Sequence, residues 1–243
     1  MSVVREWPSA PDGLVALYPR HAQPTLRANF IASLDGAVTV DGLSAGLQGP
    51  GDKEVFDTLR MVCDALVVAA GTVKAENYDA LRLSVPERAW RVAHGLPEFP
   101  LMVIVSAALD FDLEQLVFAD APIPPIVVTK STAPVSRLAG VAELIVAGEE
   151  RVDLAAAVAA LHERGATQLL CEGGPRLFGA LIAADLVTEL CLTVSPLLVG
   201  AGPGRIAAGP PSIPRQMSLR HILTRDDMLF LRYARSDVPG VGG

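Results

Sequence analysis

The stretch Leu169-Leu170-Cys171-Glu172-Gly173-Gly174-Pro175-Arg176-Leu177 constrains this chain more than any other. An apolar run ends in an acid, two glycines follow, and a proline stands where a helix would begin. Glycine allows another molecule to approach the backbone closely. Proline suits the first helical position because its missing N–H would have had no intrahelical acceptor. The stretch therefore reads as strand, turn and helix. A helix start exposes unpaired amides and a partial positive charge, which suit a pyrophosphate; a plain tight turn would satisfy the same residues.

The same logic recurs along the chain. Ala65 to Ala70 is apolar on both faces, as in a central parallel strand, and Gly71-Thr72-Val73-Lys74 follows, with Thr72 placed to cap a short helix. Further strands are expected at Thr25–Ser33, Leu101–Val105, Ile126–Thr129, Glu143–Ala147, Thr167–Cys171 and Leu186–Val194. Helices are expected over Gly51–Val62, after the Asp153 cap and from Pro175 to Ala184, with one helical turn around Glu87–Ala93. Ser218–Thr224 and Met228–Tyr233, joined by Arg225-Asp226-Asp227, form a hairpin. Alternating strands and helices followed by late strands imply an α/β fold: three layers, αβα, around a mixed, mostly parallel sheet with a C-terminal antiparallel hairpin. Residues 1–24 read as an irregular N-terminal extension, 25–234 as one domain and 235–243 as a flexible tail. Glycine turns on parallel strands open on one sheet edge, the carboxyl end, where open α/β sheets bind ligands.

Composition narrows the function. The chain has 243 residues, 51% of them apolar, and a formal net charge of −7. No basic field for nucleic acid is evident, and no apolar run approaches the roughly 18 residues that cross a bilayer. Cys63, Cys171 and Cys191 have no CxxC spacing and read as reduced core residues of a cytoplasmic protein. His21, His94, His162 and His221 form no H-x-E or P-C-x-x-C set, so neither a metal nor a zinc deaminase domain is expected. Gly200-Ala201-Gly202-Pro203-Gly204 lacks the sixth-position glycine or alanine of a dinucleotide fingerprint and reads as a loop near the active site.

Three local readings stay open on the residues alone. Asn29 in a buried strand is either a structural bridge or a ligand contact. Asp52, after Gly49-Pro50-Gly51, either caps its helix or faces a ligand. Thr129-Lys130-Ser131 either holds a ribose 2′-phosphate or is an ordinary polar loop.

Four segments then act together. Asn-Phe-Ile-Ala-Ser-Leu-Asp-Gly at 29–36, Ala-Gly-Thr-Val at 70–73, Glu-Gly-Gly-Pro-Arg-Leu at 172–177 and Thr-Val-Ser-Pro-Leu-Leu-Val-Gly at 193–200 resemble, in order, the pyrimidine reductases of riboflavin biosynthesis. The resemblance implies a dihydrofolate-reductase-like fold, NADPH as cofactor and a homodimer. It implies hydride transfer to C1′ of 5-amino-6-(5-phosphoribosylamino)uracil, giving the ribitylamino product. By the same analogy Ser33, Gly71, Thr72, Thr129, Gly173, Gly174 and Leu177 line the cofactor. Asn29, Ser33, Asp52 and Arg82 face the substrate, with Asn29, Asp52 and Glu172 as the catalytic group. One departure stands out: relatives often read Ala-Asp-Asp/Asn-Pro after the second glycine turn, and this chain reads Ala75-Glu76-Asn77-Tyr78. Two other functions fit the same fold: reduction of dihydrofolate, with Asp52 holding the amidine-like edge of a pterin, and a catalytically silent nucleotide-binding protein.

Overall fold

A computed structural model describes residues 3–236, apart from 10, 77, 79 and 203. In chain order its elements are β1 (Val4–Arg5), α1 (Pro11–Leu17), β2 (Thr25–Ser33), α2 (Asp52–Val62), β3 (Ala65–Ala69), α3 (Ala70–Ala75), α4 (Val85–Ala93) and β4 (Leu101–Val105). Then follow α5 (Leu116–Ala119), β5 (Ile126–Thr129), β6 (Glu143–Val146), α6 (Leu154–Glu163), β7 (Gln168–Cys171), α7 (Pro175–Ala183), β8 (Glu189–Ser195), β9 (Met217–Arg225) and β10 (Met228–Arg235). The ten strands form one sheet in the order β1-β9-β10-β8-β2-β7-β3-β4-β5-β6. β10 is antiparallel to both its neighbours, and every other pairing is parallel.

Each central strand is buried on both faces because its side chains alternate between two apolar layers. Leu66 and Val68 of β3 pack with Leu14, Val55, Leu59 and Phe118, whereas Ala65 and Val67 pack with Leu161, Leu177 and Leu181. The three layers expected from the sequence are present. No helix among the described residues is long and apolar enough to cross a membrane.

The segment before Thr25, expected to be irregular, carries α1 and the short strand β1, which pairs with β9. Its weak periodicity hides tertiary anchoring. Leu14 and Tyr18 are core residues, and two buried arginines bind its carbonyls: Arg27 Nη2 donates to Pro19 O at 2.8 Å and Arg232 Nη1 to Leu17 O at 3.0 Å. α4 is longer than the single expected turn, because Ser84 and Glu87 close a capping box around Pro86. α3 begins at Ala70, so Thr72 lies inside it and does not cap it. β10 runs on to Arg235, and residues 237–243 of the expected tail lie outside the described residues.

One ion cluster ties three strands together. Glu189 opens β8 with its side chain fully buried, and Arg27 of β2 and Arg232 of β10 both donate to its carboxylate. His21 Nε2 lies 3.5 Å away. Burial alone would raise the Glu189 pKa, but the attraction of Arg27 and Arg232 outweighs it and holds the carboxyl well below the ordinary range. Removing one partner of such a pair leaves uncompensated charge in the interior. Glu189→Gln is therefore expected to cost about 3–5 kcal/mol in urea unfolding. Asp57→Asn, which breaks the exposed Lys53–Asp57 pair at 2.6 Å, should cost under about 1 kcal/mol.

Candidate active site

β7 arrives late in the chain and inserts between β2 and β3. The connections on either side then run in opposite directions across the sheet, which opens a crevice at the strand carboxyl ends. A cleft of ≈ 390 Å³ lies there, lined among others by Asn29, Asp52, Arg60, Thr72, Tyr78, Glu172 and Gly174. That is within the size range of small-molecule sites. Ile206, from the loop that holds the third glycine cluster, also reaches the cleft.

α2 supplies one wall through residues spaced by four. Asp52, Phe56 and Arg60 share a helix face and all line the cleft. The opposite face, Val55, Leu59 and Val62, is buried. Arg91 fixes the far end of this helix by donating from Nη1 to Met61 O at 2.7 Å and to Cys63 O at 2.6 Å. The N-cap of α2 is Gly51, with a φ of 86°. Asp52 thus takes the first helical position, makes no cap hydrogen bond and is free to face the cleft. Burial raises its pKa, opposed by a hydrogen bond with the Thr193 hydroxyl of β8.

Glu172, at the end of β7, is set differently. Its side chain is 3% exposed and pairs with Arg60 Nη2 at 2.7 Å, while Arg60 Nε lies 3.0 Å from Oε1 and 3.1 Å from Oε2. Tyr78 Oη also donates to Oε2. Among the described residues, Glu172 is thus tied to a cation, whereas Asp52 has a hydroxyl partner and Glu76, the third carboxylate of the cleft, accepts a backbone N–H.

The two glycine turns meet on one rim. Ala69 N donates to Gly173 O at 2.8 Å, linking the end of β3 to the turn after β7. A Cβ on Gly174 would stand 2.7 Å from Thr72 Oγ1, so the backbone of one turn lies against the side chain of the other. Gly173 has a φ of 119°, where only glycine is unstrained. α3 and α7 start side by side here, and the first amides of each have no intrahelical acceptor. Glycine-bared backbone, paired helix starts and the Thr72 hydroxyl fit the pyrophosphate of a dinucleotide. The cleft beside them has room for its reactive ring and an acceptor.

Asn29, Asp52, Thr72, Glu172, Gly173 and Gly174 are brought together as expected from the sequence, and the Asn29 amide group bonds to none of the described residues. Gly71 lies in the first turn of α3 on the same rim. Four other residues are placed elsewhere. Ser33 is buried with its hydroxyl committed to Asp35 and to the amide of Ala37 at 2.8 Å. Asp35 in turn accepts from Gly200 N at 2.7 Å and Val199 N at 3.2 Å. The Ser33 hydroxyl first, then the Gly200 and Val199 amides, lower the Asp35 pKa to about 2. The Ser33–Asp35 pair therefore pins the 197–200 loop. Leu177 packs in the core under α7. Thr129 is fully buried at the end of β5, three strands from β7, with Oγ1 unpaired among the described residues. Arg82 engages Asp120 with both prongs at 2.8 Å on the surface, outside the cleft lining. Arg60, Phe56 and Glu76 were not foreseen. The four-residue spacing from Asp52 was a legible signal for the first two; Glu76, which accepts from Ser44 N at 3.2 Å, lies in the segment where this chain departs from its relatives' Ala-Asp-Asp/Asn-Pro.

Comparison with known proteins points the same way. The family model described as the RibD C-terminal domain matches residues 24–231. The 2,5-diamino-6-ribosylamino-4(3H)-pyrimidinone 5′-phosphate reductase of Archaeoglobus fulgidus is 32% identical over 182 residues, covering 73% of this chain and 83% of that protein. Its namesake in Methanothermobacter thermautotrophicus is 31% identical over 186 residues, covering 75% and 82%. A crystal structure of a pyrimidine reductase-like protein from Corynebacterium diphtheriae superposes with a TM-score of 0.80 at 27% identity, covering 87% of this chain and 91% of that one.

Filling the rim should be felt by a dinucleotide before it is felt by the fold. Gly174→Ala is expected to weaken binding of reduced nicotinamide dinucleotide phosphate about tenfold or more in a fluorescence titration, equivalent to losing about one hydrogen bond to a charged group. Undiminished affinity would remove the rim from the binding surface.

Proposed function

The chain belongs to the RibD C-terminal domain family, and from that membership we propose that it is an NADPH-dependent reductase of a ribosylaminopyrimidine 5′-phosphate. As a member of a reductase family it is an oxidoreductase that uses a nicotinamide cofactor; the phosphorylated form of that cofactor and the pyrimidine acceptor are the finer parts of the reading. The observation that carries it is the meeting of two glycine-bared helix starts with a cleft in which Glu172 is paired with Arg60 and Asp52 is bonded by a hydroxyl.

The cofactor, when bound, supplies a hydride from its reduced nicotinamide. This chain's residues do the rest. Gly71, Thr72, Gly173, Gly174 and the first amides of α7 would hold the pyrophosphate, and Asn29 would offer an amide to the acceptor. Holding both reactants in one cleft turns an encounter into an effectively intramolecular step. As the C1′–O4′ bond of the ribosyl group opens, C1′ takes the hydride and O4′ takes one proton. Asp52 is the group placed to supply that proton, because burial favours its neutral form. Glu172, bound to Arg60, orients the acceptor.

The reading extends to a homodimer acting in the cytoplasm. Leu34 and Leu198 are 59% and 80% exposed, beside Leu197, whose carbonyl accepts from Leu34 N at 2.9 Å. Such an apolar patch suits a second copy.

Two measurements test the proposal. Loss of absorbance at the reduced-nicotinamide band should follow addition of NADPH with either 5-amino-6-(5-phosphoribosylamino)uracil or its 2,5-diaminopyrimidinone counterpart, with dihydrofolate as the control acceptor; no oxidation above background with the two pyrimidines rejects it. Asp52→Asn should lower kcat about 100-fold or more. Because the protonated carboxyl is the donating form, the wild-type rate should fall as pH rises through the raised Asp52 pKa, and the variant should lose that alkaline limb. A variant with the wild-type pH profile would assign the proton to another group.

A further inference from the structure

The contacts of Glu172 are lopsided. Oε2 receives Arg60 Nη2, Arg60 Nε and the Tyr78 hydroxyl, whereas among the described residues Oε1 receives only the shared Arg60 Nε at 3.0 Å. An ionised carboxylate has about four lone-pair directions. Oε2 is therefore filled from the protein, and Oε1 keeps capacity for a donor in the cleft that Glu172 lines.

Tyr78 reaches this point from the turn after α3. Its backbone N donates to Val73 O at 3.3 Å, and Glu76 N donates to Thr72 O at 3.0 Å. The helix that carries Gly71 and Thr72 thus also delivers the phenol to the carboxylate. The Tyr78 ring serves the other partner of the pair: the Arg60 guanidinium lies 5.1 Å from its centroid and 3.9 Å from that of Phe56. Cation and anion are therefore both steered by one side chain.

Resting on the reductase reading above, we infer that Tyr78 is a positioning residue of this site, its hydroxyl holding Glu172 Oε2 so that Oε1 alone receives an O–H or N–H of the acceptor. The phenol transfers no proton. Burial, and then the neighbouring Glu172 charge, raise its pKa well above the ordinary value, so it remains a donor throughout the neutral range. With the phenol gone, the carboxylate is free to turn about Arg60 and either oxygen can face the cleft. The acceptor then binds in more than one pose, and C1′ is less often in line for the hydride.

Tyr78→Phe tests this directly, since it removes one oxygen and keeps the ring on Arg60. The expected result is a ~10- to 100-fold fall in kcat, the range of one hydrogen bond to a charged group. Affinity for NADPH by fluorescence titration and the thermal midpoint should stay near wild type. A tyrosine with only a structural role would do the reverse, lowering the midpoint and leaving kcat per folded molecule intact. In a Glu172→Gln background, Tyr78→Phe should add little, because residues that act through one another are not additive. Wild-type kcat in Tyr78→Phe, or full multiplication of the two losses in the double variant, overturns the inference. Should Glu172→Gln fail to fold, the split between kcat and NADPH affinity in Tyr78→Phe decides alone. A wild type inert on both pyrimidines sinks the reductase reading and this inference with it, whereas an active wild type matched by an equally active Tyr78→Phe sinks only the inference.

Discussion

The 2.8 Å hydrogen bond from Ala69 N to Gly173 O joins two strand ends that lie about a hundred residues apart in the chain, and the site is built on that junction. It exists because β7 pairs with β3 on one side and β2 on the other. Pairing of β7 at any other place would send the Gly173–Gly174 turn away from Thr72, and neither helix start would have the other beside it. The contact between Gly174 and Thr72 leaves no space for a side chain, so the sheet order and the glycine are two expressions of one constraint.

Three buried or half-buried carboxylates show how charge is distributed around this junction. Glu189 sits at the amino end of β8 between two arginines, remote from the rim, and locks β2, β8 and β10 together. Glu172 has a single arginine and a phenol and stands at the rim itself. Asp52 forms no ion pair among the described residues, and the Thr193 hydroxyl opposes the effect of its burial. Moving from the base of the sheet to the cleft, the carboxylates lose their counter-ions one by one. The interior pair gives register, and the least compensated group lies where a proton has to move.

Much of this was legible in the sequence because the relevant signals are local. Apolar runs bounded by turn residues, Asp35-Gly36 after one and Pro124-Pro125 before the other, placed β2 at Thr25–Ser33 and β5 at Ile126–Thr129, as observed. Asp153 caps α6 through a 3.0 Å bond to Ala156 N, again a signal read within four residues. What escaped is held by distant partners. α1 contains Gly13, whose backbone lies against Pro8, and its packing on the sheet rather than its propensity makes it a helix. The spacing from Asp52 places Arg60 on the cleft face, but its partner Glu172 arrives from 112 residues away.

Ser33 shows why motif residues and contact residues are different sets. It belongs to one of the four segments that resemble the pyrimidine reductases, yet its hydroxyl is consumed by Asp35 and Ala37. Asp35 then holds the amides of Val199 and Gly200, in another of those segments. The two motifs are therefore one device, a clasp between the end of β2 and the loop after β8. That clasp sets how the 197–200 backbone leaves the sheet before the loop runs on to Ile206, which returns to the cleft. Ala208 lies so close to α7 that a Cβ on Gly179 would meet its carbonyl at 2.2 Å, so the returning loop is seated on the same helix whose start faces the cleft. A sequence pattern can persist because it shapes the walls of a site, and only the folded geometry separates such residues from those that touch what the site holds.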